Sequence, residues 1–442
     1  MRKTNHFKAI LSLGLPLMIG SILQILMGTM DVLFISQLGT EYTAASTMGT
    51  SIAGVFFIFS MLVSAGAIAL VARKIGEKNK RAVQSYGMTA LILAGIIGVF
   101  VSLMAVVFSK QIISVYDPDP SLAILIKRYV DIIFAFTFVV FLNTTLRSII
   151  QSTGNTKGPL YIFGTANIIN IILDYLFIIV LDFGIRGAAS ATVLSQTFAC
   201  LMMMGLLYKQ LFNDRHEFFD LISVRLKEMK DILSIGVWAC VQSIARPITG
   251  LVMMRIVYGV GGKSGSASFG IGMNVINYFF IVLTGLSGAV SILVGQKIGE
   301  GLIEESKEIV SEGIRYTVVN LLVFSIPYLV FTEMLFRPFH TTPEVTAMGV
   351  SYVRIVFWGF IVLGHVFIYR GAFAGAGDTY PPMVAALFAN VVCKLTLAVL
   401  FTSVFGFGIN GVWIAILMSI YTEWIVITRY YKKGELYKKA IE

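Results

Sequence analysis

Charge is what this sequence has little of. Only 13% of its 442 residues are Asp, Glu, Lys or Arg, where soluble proteins carry roughly 25%. Apolar residues make up 57%, and the mean hydropathy is +0.84. Uncharged stretches of about 18 or more residues recur along the whole chain, which makes the bilayer the expected solvent. Cysteine is scarce too. Cys200, Cys240 and Cys393 all lie inside apolar runs, which excludes a disulfide framework and a cysteine metal site. The four histidines are scattered at positions 6, 216, 340 and 365. With no HExxH and no Ser/His/Asp set, a membrane-embedded enzyme has no chemistry to use. The net charge of +10 could suggest nucleic acid. The basic residues instead cluster in short segments between apolar runs, as at the cytoplasmic face of a membrane protein. No nucleic-acid partner is expected.

The apolar runs predict an all-α integral membrane protein of twelve transmembrane helices. They run near 10–35, 45–72, 86–108, 124–147, 159–181 and 187–208, then near 231–258, 266–296, 313–332, 347–369, 381–404 and 408–428. Each is long enough for a hydrocarbon core of about 30 Å. The first 30 residues show no small-residue cleavage site and read as a first span. Placing the N-terminus inside puts most Lys and Arg inside, including Arg73, Lys74, Lys78, Lys80, Arg81, Arg429, Lys432 and Lys433. Both termini are therefore expected in the cytoplasm. The loop after the eighth helix, rich in Glu300, Glu304, Glu305 and Glu308, fits poorly, but acidic residues count little in that rule.

The chain repeats itself. VARKIGE at 71–77 returns as VGQKIGE at 294–300, and RSIIQSTGNTKGP at 147–159 as RGAFAGAGDTYPP at 370–382, both 223 residues later. FGIRG at 183–187 returns as FGING at 407–411. Two six-helix bundles are expected, 1–208 and 231–442, joined by a cytoplasmic connector at 209–230. Parallel repeats of this sort hold substrate and ion sites in many transporters. GVGGKSG at 259–265 carries GGKS, but Val257 stands where a P-loop needs its first Gly, and an apolar helix precedes it in place of a strand. It reads as a turn between the seventh and eighth helices. Without a nucleotide site, uphill transport must draw on an ion gradient.

Few charges lie deep in the predicted spans. In the first half they are Asp31 and Asp174. A central carboxylate costs about 2.5–3.5 kcal/mol on insertion scales, so it marks function by default. Asp31 stands near a helix end, where snorkelling to the interface is the alternative. In NIINIILDYLF, Asn167, Asn170 and Asp174 are spaced i, i+3, i+7 and share one helical face. A carboxylate with amide and hydroxyl oxygens suits Na+, and a desolvated carboxylate suits a proton. The offset of 223 takes Asp31 to Met254, Asn170 to Cys393 and Asp174 to Leu397. The scaffold is duplicated and the acids are not, which gives the first bundle a special task. Pro16, inside the first helix, permits a bend, either static or linked to the state of Asp31.

These segments resemble the multidrug and toxic compound extrusion (MATE) family of secondary transporters over nearly the whole chain, most closely its prokaryotic DinF-like branch. GLPLMIGSILQILMGTMDVLF, GAIALVARKIGE, RSIIQSTGNTKGP, NIINIILDYLF and GIRGAASA carry the likeness. The resemblance implies two bundles around a central cavity, alternating access, and export of organic, often cationic or lipophilic compounds against H+ or Na+. It implies a cation site at Asp31, Asn170, Asp174 and Thr192, where Na+ is a possible metal. Gln24 and Asn143 match polar positions lining the same lobe, with Asn167 beside them. Arg246, next to Pro247, and Lys394 depart from the pattern of a cationic cavity. Pairing of Lys394 with Glu423 would neutralise it. An unpaired Arg246 or Lys394 would favour an anionic or zwitterionic substrate.

The resulting expectation is an antiporter and no enzyme. It would act as a monomer in the bilayer of a bacterial or archaeal plasma membrane, with small organic substrates and a coupling ion but no other cofactor. A lipid-linked oligosaccharide flippase of related architecture is the alternative. It would need a strongly basic cavity, for which Arg246, Lys394 and Arg255 are the candidates.

Overall fold

The computed structural model describes residues 6–212, 225–339, 342–434 and 436–437, and every regular element among them is helical. Helix α1 is His6–Ser36. Helix α2 is a bent pair, Thr40–Ile58 and Met61–Gly76, broken by 46°. Then follow α3 (Lys80–Val107), α4 (Pro120–Ala135 and Thr137–Ser152), α5 (Lys157–Val180) and α6 (Gly184–Leu211). One unbroken helical run, Leu226–Gly299, contains a single non-helical residue, Gly262, at φ 58°, ψ −148°. A side chain on Gly265 would begin 3.3 Å from the Val257 carbonyl oxygen, which in a straight helix would lie about 12 Å away along the axis. The chain therefore doubles back at Gly262, in a conformation open to glycine. The run is two helices, α7 (226–261) and α8 (263–299). The remaining long helices are α9 (Ile303–Val330), α10 (Pro343–Gly375), α11 (Tyr380–Val404) and α12 (Gly408–Lys432).

Among the described residues, nine helices are long and apolar enough to cross a membrane singly, or ten with the bent α2 counted. The doubled run at Gly262 and the interrupted α4 bring the spans to the twelve expected. The outer faces suit lipid. On α3, Ile96, Val99, Phe100, Leu103 and Val107 are all exposed at helical spacing, a stripe that water would not tolerate. The duplicated sequence motif has duplicated geometry. Gly154 ends α4 at φ 87° and Gly377 ends α10 at φ 79°, each a left-handed turn that glycine takes without cost.

By contacts the chain forms two compact units. The first is Ile19–Cys240; the second is Met1–Met18 with Val241–Glu442. This division departs from the bundles 1–208 and 231–442 at two places, because each unit takes in the leading part of the other repeat's first helix. Most of the connector expected at 209–230 falls on 213–224, outside the described residues.

In the first unit, the start of α7 packs on α2 through glycine. A Cβ on Gly236 would meet the Leu62 carbonyl oxygen at 1.8 Å, and one on Gly66 the Ile232 oxygen at 2.3 Å. Polar groups fix the same contact. Glu228 accepts hydrogen bonds from Ser85 and from Thr89 (2.7 Å), and Tyr86 donates to Asp231 (2.9 Å). Ile232 and Met229 then join the core of Val63, Ala67, Leu146 and Ile149. In the second unit, the start of α1 packs on α8 in the same manner. A Cβ on Gly285 would lie 2.4 Å from Met18 Cγ and 3.1 Å from the Gly14 oxygen. Ile10 enters a core with Leu286, Val290 and Phe373. A second core there stacks Phe269 on Trp413, centroids 5.7 Å apart, with Tyr352 beside both.

Candidate functional site

The shared face expected on α5 points inward. Asn167 is 7% exposed, while Asn170 and Asp174 are wholly buried. Regular α-helix ends at Asp174, and Tyr175–Val180 continues as a π-turn, seen in the wider bond from Leu181 N–H to the Leu176 oxygen at 2.9 Å. Such π-turns release backbone from its normal register and recur at functional sites. Nothing in the sequence signalled this one.

Three helices bring the predicted ion residues together. The Thr192 hydroxyl, from α6, lies 3.2 Å from Asp31 Oδ2 on α1, where it can donate, and 3.1 Å from the Ala188 oxygen. Asp174 and Asn170 also face the Asp31 carboxyl. Yet Asp31 Oδ1, both Asp174 oxygens and both polar atoms of the Asn170 amide are buried without a hydrogen-bond partner among the described residues. Buried polar groups are nearly always satisfied, so each exception calls for an explanation. Two carboxyl groups, an amide oxygen and a hydroxyl form an oxygen set suited to a hard monovalent cation, or to a proton held between the acids.

A cavity of about 460 Å³ opens beside this cluster, entirely within the first unit. Gln24, Asp31, Asn143 and Thr192 line it, as do Arg147 and Gln196. Asn167, Asn170 and Asp174 are not among its lining residues; the last two lie behind Asp31, which touches both the cavity and the buried acid. The Asn143 amide donates to the backbone oxygen and to Oε1 of Gln196, at 2.8 and 3.0 Å. Asn167 donates to the Phe163 oxygen in the preceding turn, at 2.8 Å. Arg147 was missed by the sequence reasoning. Its signal was the repeat, because the offset of 223 takes it to Arg370.

The second unit holds the other candidates. Pro16 is buried, and α1 runs through it as one helix. Arg246 is exposed, its guanidinium 5.0 Å from the Phe280 ring centre and 5.6 Å from that of Phe367. Lys394 is partly exposed. The neutralising pair of Lys394 with Glu423 does not form. Glu423 pairs with Arg370, and Asn390 donates to its other oxygen at 3.3 Å. A guanidinium offers planar paired donors that suit a carboxylate better than an ammonium does, and α10 packs closely along α12, which places Arg370 against it.

The MatE family profile matches this chain twice, at residues 16–176 and 239–400. The two matches begin 223 residues apart, the offset of the internal repeat. The probable multidrug resistance protein NorM of Thermotoga maritima is 25% identical over 98% of this chain and 94% of its own length. The FAD transporter of Shewanella oneidensis is 27% identical over 92% of this chain and 89% of its own. A crystal structure of a MATE protein in the bent conformation superposes with a TM-score of 0.92 at 21% identity, covering 99% of this chain and 98% of that one. The duplicated all-helical fold is thus a MATE fold, and the chain belongs to the MatE family.

Proposed function

We propose that this protein is a secondary active multidrug exporter, moving organic compounds out of the cell in exchange for entering H+ or Na+ by alternating access. One observation carries the reading: Asp31 in the wall of a first-unit cavity, and the wholly buried Asp174 and Asn170 behind it, present three carboxyl oxygens and an amide with no hydrogen-bond partner among the described residues. An ion entering from outside neutralises the pair of Asp31 and Asp174, with Asn170 and Thr192 supplying the remaining oxygens. Because Asp31 also lines the cavity, the ion and the substrate compete for it, and ion binding favours release. Coupling of this kind requires only that the two ligands differ in affinity between the outward and inward states. The driving force is adequate. A tenfold ion gradient supplies about 1.4 kcal/mol, and a potential of 100 mV adds about 2.3 kcal/mol for each charge.

The same four residues support placement in the prokaryotic DinF-like branch. The relatives named for multidrug resistance support lipophilic organic substrates. Gln24 and Asn143 serve the substrate side of the first unit, and Pro16 permits α1 to bend between states. The protein acts as a monomer in a bacterial or archaeal plasma membrane with both termini cytoplasmic. The test is ethidium efflux from proteoliposomes under separately imposed pH and sodium gradients. Efflux driven by one of them is expected. Efflux indifferent to both would end the antiport reading.

A further inference from the structure

The first unit holds the buried acids Asp31 and Asp174; among the described residues, the second gathers cations that no carboxylate pairs. Four helices of that unit bring together Arg246 (α7), Arg370 (α10), Lys394 (α11) and Glu423 (α12). Arg246 lies in electrostatic reach of Arg370 and Glu423, and Lys394 in reach of Arg246 and Glu423. Among the described residues, this cluster has three cations and one acid. Glu423 is spent on Arg370 and Asn390, and the pair it forms with Arg370 is largely buried, 8% and 13% exposed. Arg246 and Lys394 have no carboxylate partner and no side-chain hydrogen bond among the described residues. Both remain accessible.

Their depth makes this costly. Lys394 is about 20 Å along α11 from its start at 1.5 Å per residue, well inside the bilayer, where a lone cation is disfavoured unless it faces water or a counter-charge. Aromatic rings hold the two guanidinium groups in place without neutralising them. Phe367 sits 5.6 Å from Arg246 and 5.3 Å from Arg370, and cation–π contact leaves the guanidinium edge free to donate. The repeat removes a scaffold explanation. The offset of 223 takes Arg246 to Leu23, Lys394 to Ile171 and Glu423 to Cys200. Arg370 is echoed by Arg147, but Arg246, Lys394 and Glu423 stand in this copy alone, as Asp31 and Asp174 stand in the other.

We propose that Arg246 and Lys394, backed by the Arg370–Glu423 pair, bind an anionic oxygen group of the transported compound, a carboxylate or a phosphate. The substrates of this exporter then include organic anions or zwitterions as well as lipophilic cations. The guanidinium of Arg246 takes two oxygens side by side and Lys394 supplies a point charge, with the partly exposed Phe280 ring beside them for an attached ring to meet. This deepens the transport reading and rests on it for the word substrate, but binding can be measured without transport.

The experiment uses the purified full chain and four probes with one ring system: 1-naphthoate, 1-naphthyl phosphate, 1-naphthylmethanol and 1-naphthylmethylammonium. Equilibrium dialysis with radiolabelled probes should show one or both anions bound at least about tenfold tighter than the alcohol. The preference between the two anions names the group. Arg246→Gln and Lys394→Gln should each weaken anion binding about tenfold to a hundredfold and leave the ammonium probe bound as before or better. Arg246→Lys should recover part of the loss, which a purely structural role for Arg246 would not predict. Binding of both anions no tighter than the alcohol would overturn the proposal, as would anion binding unchanged in both Gln variants. Ethidium efflux driven by an ion gradient is scored separately, so loss of antiport and loss of anion binding are told apart.

Discussion

Asp174→Asn is the sharpest probe of the ion site, because it removes one charge and almost no volume from a wholly buried position. The Asp174 carboxyl faces that of Asp31 at close range. Two like charges about 4 Å apart interact by about 4 kcal/mol at an effective dielectric of 20. A monovalent cation or proton that neutralises one of them relieves that repulsion, which corresponds to about a thousandfold in affinity at 1.4 kcal/mol per decade. In the variant the repulsion is already gone, so the ion loses this advantage. The expected result is a fall of about a hundredfold to a thousandfold in the coupling ion's affinity. It would be read as 22Na+ binding in detergent and as proton release on sodium or substrate addition. Concentrative ethidium efflux should vanish while the protein still reaches the membrane and elutes as a sharp peak. Downhill ethidium movement should persist, because the cavity wall is intact. If Asp174→Asn retained both ion affinity and gradient-driven efflux, the reasoning would be wrong at its root.

Other sites give independent checks. Glu423→Gln strands Arg370 inside the second unit and should cost about 3–5 kcal/mol, as breaking a buried pair does; thermal unfolding in detergent measures it, and Arg370→Met in the same chain should recover much of the loss. Glu228→Gln weakens charge-assisted bonds from Ser85 and Thr89, each worth about 1.5–3 kcal/mol, and should raise amide hydrogen exchange at the start of α7 without altering exchange in α10. Gly285→Leu drives a side chain into Met18 and the α1 backbone and should destabilise by about 1–3 kcal/mol or more, visible as a lower melting temperature, whereas Gly95→Leu, where a Cβ meets nothing within 4 Å, should be nearly neutral.

The sequence disclosed what depends on composition and spacing. Twelve spans were legible because each apolar run is long enough to cross, and the duplication because three separate motifs kept one offset. The turn at Gly262 was legible in GVGGKSG. The ion cluster was reachable because carboxylates are so rare in the spans that Asp31 and Asp174 stood out, and because Asn170 shares a face with Asp174. Other features leave no such mark. The π-turn after Asp174 is a matter of hydrogen-bond register, and YLFIIV would serve equally well in a regular helix. Arg370 lies near the end of α10, where a basic residue reads as an interfacial charge, so the sequence offered Lys394 as the partner of Glu423. Arg147 was hidden for the same reason at the end of α4. The exchange of leading segments between the repeats was silent, because residues on either side of Met18 are alike in hydropathy.

That exchange bears on how the protein is made. A ribosome that has delivered the first six helices has not delivered a finished first unit, since Leu62 and Gly66 still lack the strip of α7 that covers them. The opening turns of α1 must likewise wait for α8 before Gly14 finds Gly285. Neither gene half should therefore yield a stable product by itself. Two fragments cut within the connector and produced together should rescue one another by trading these segments.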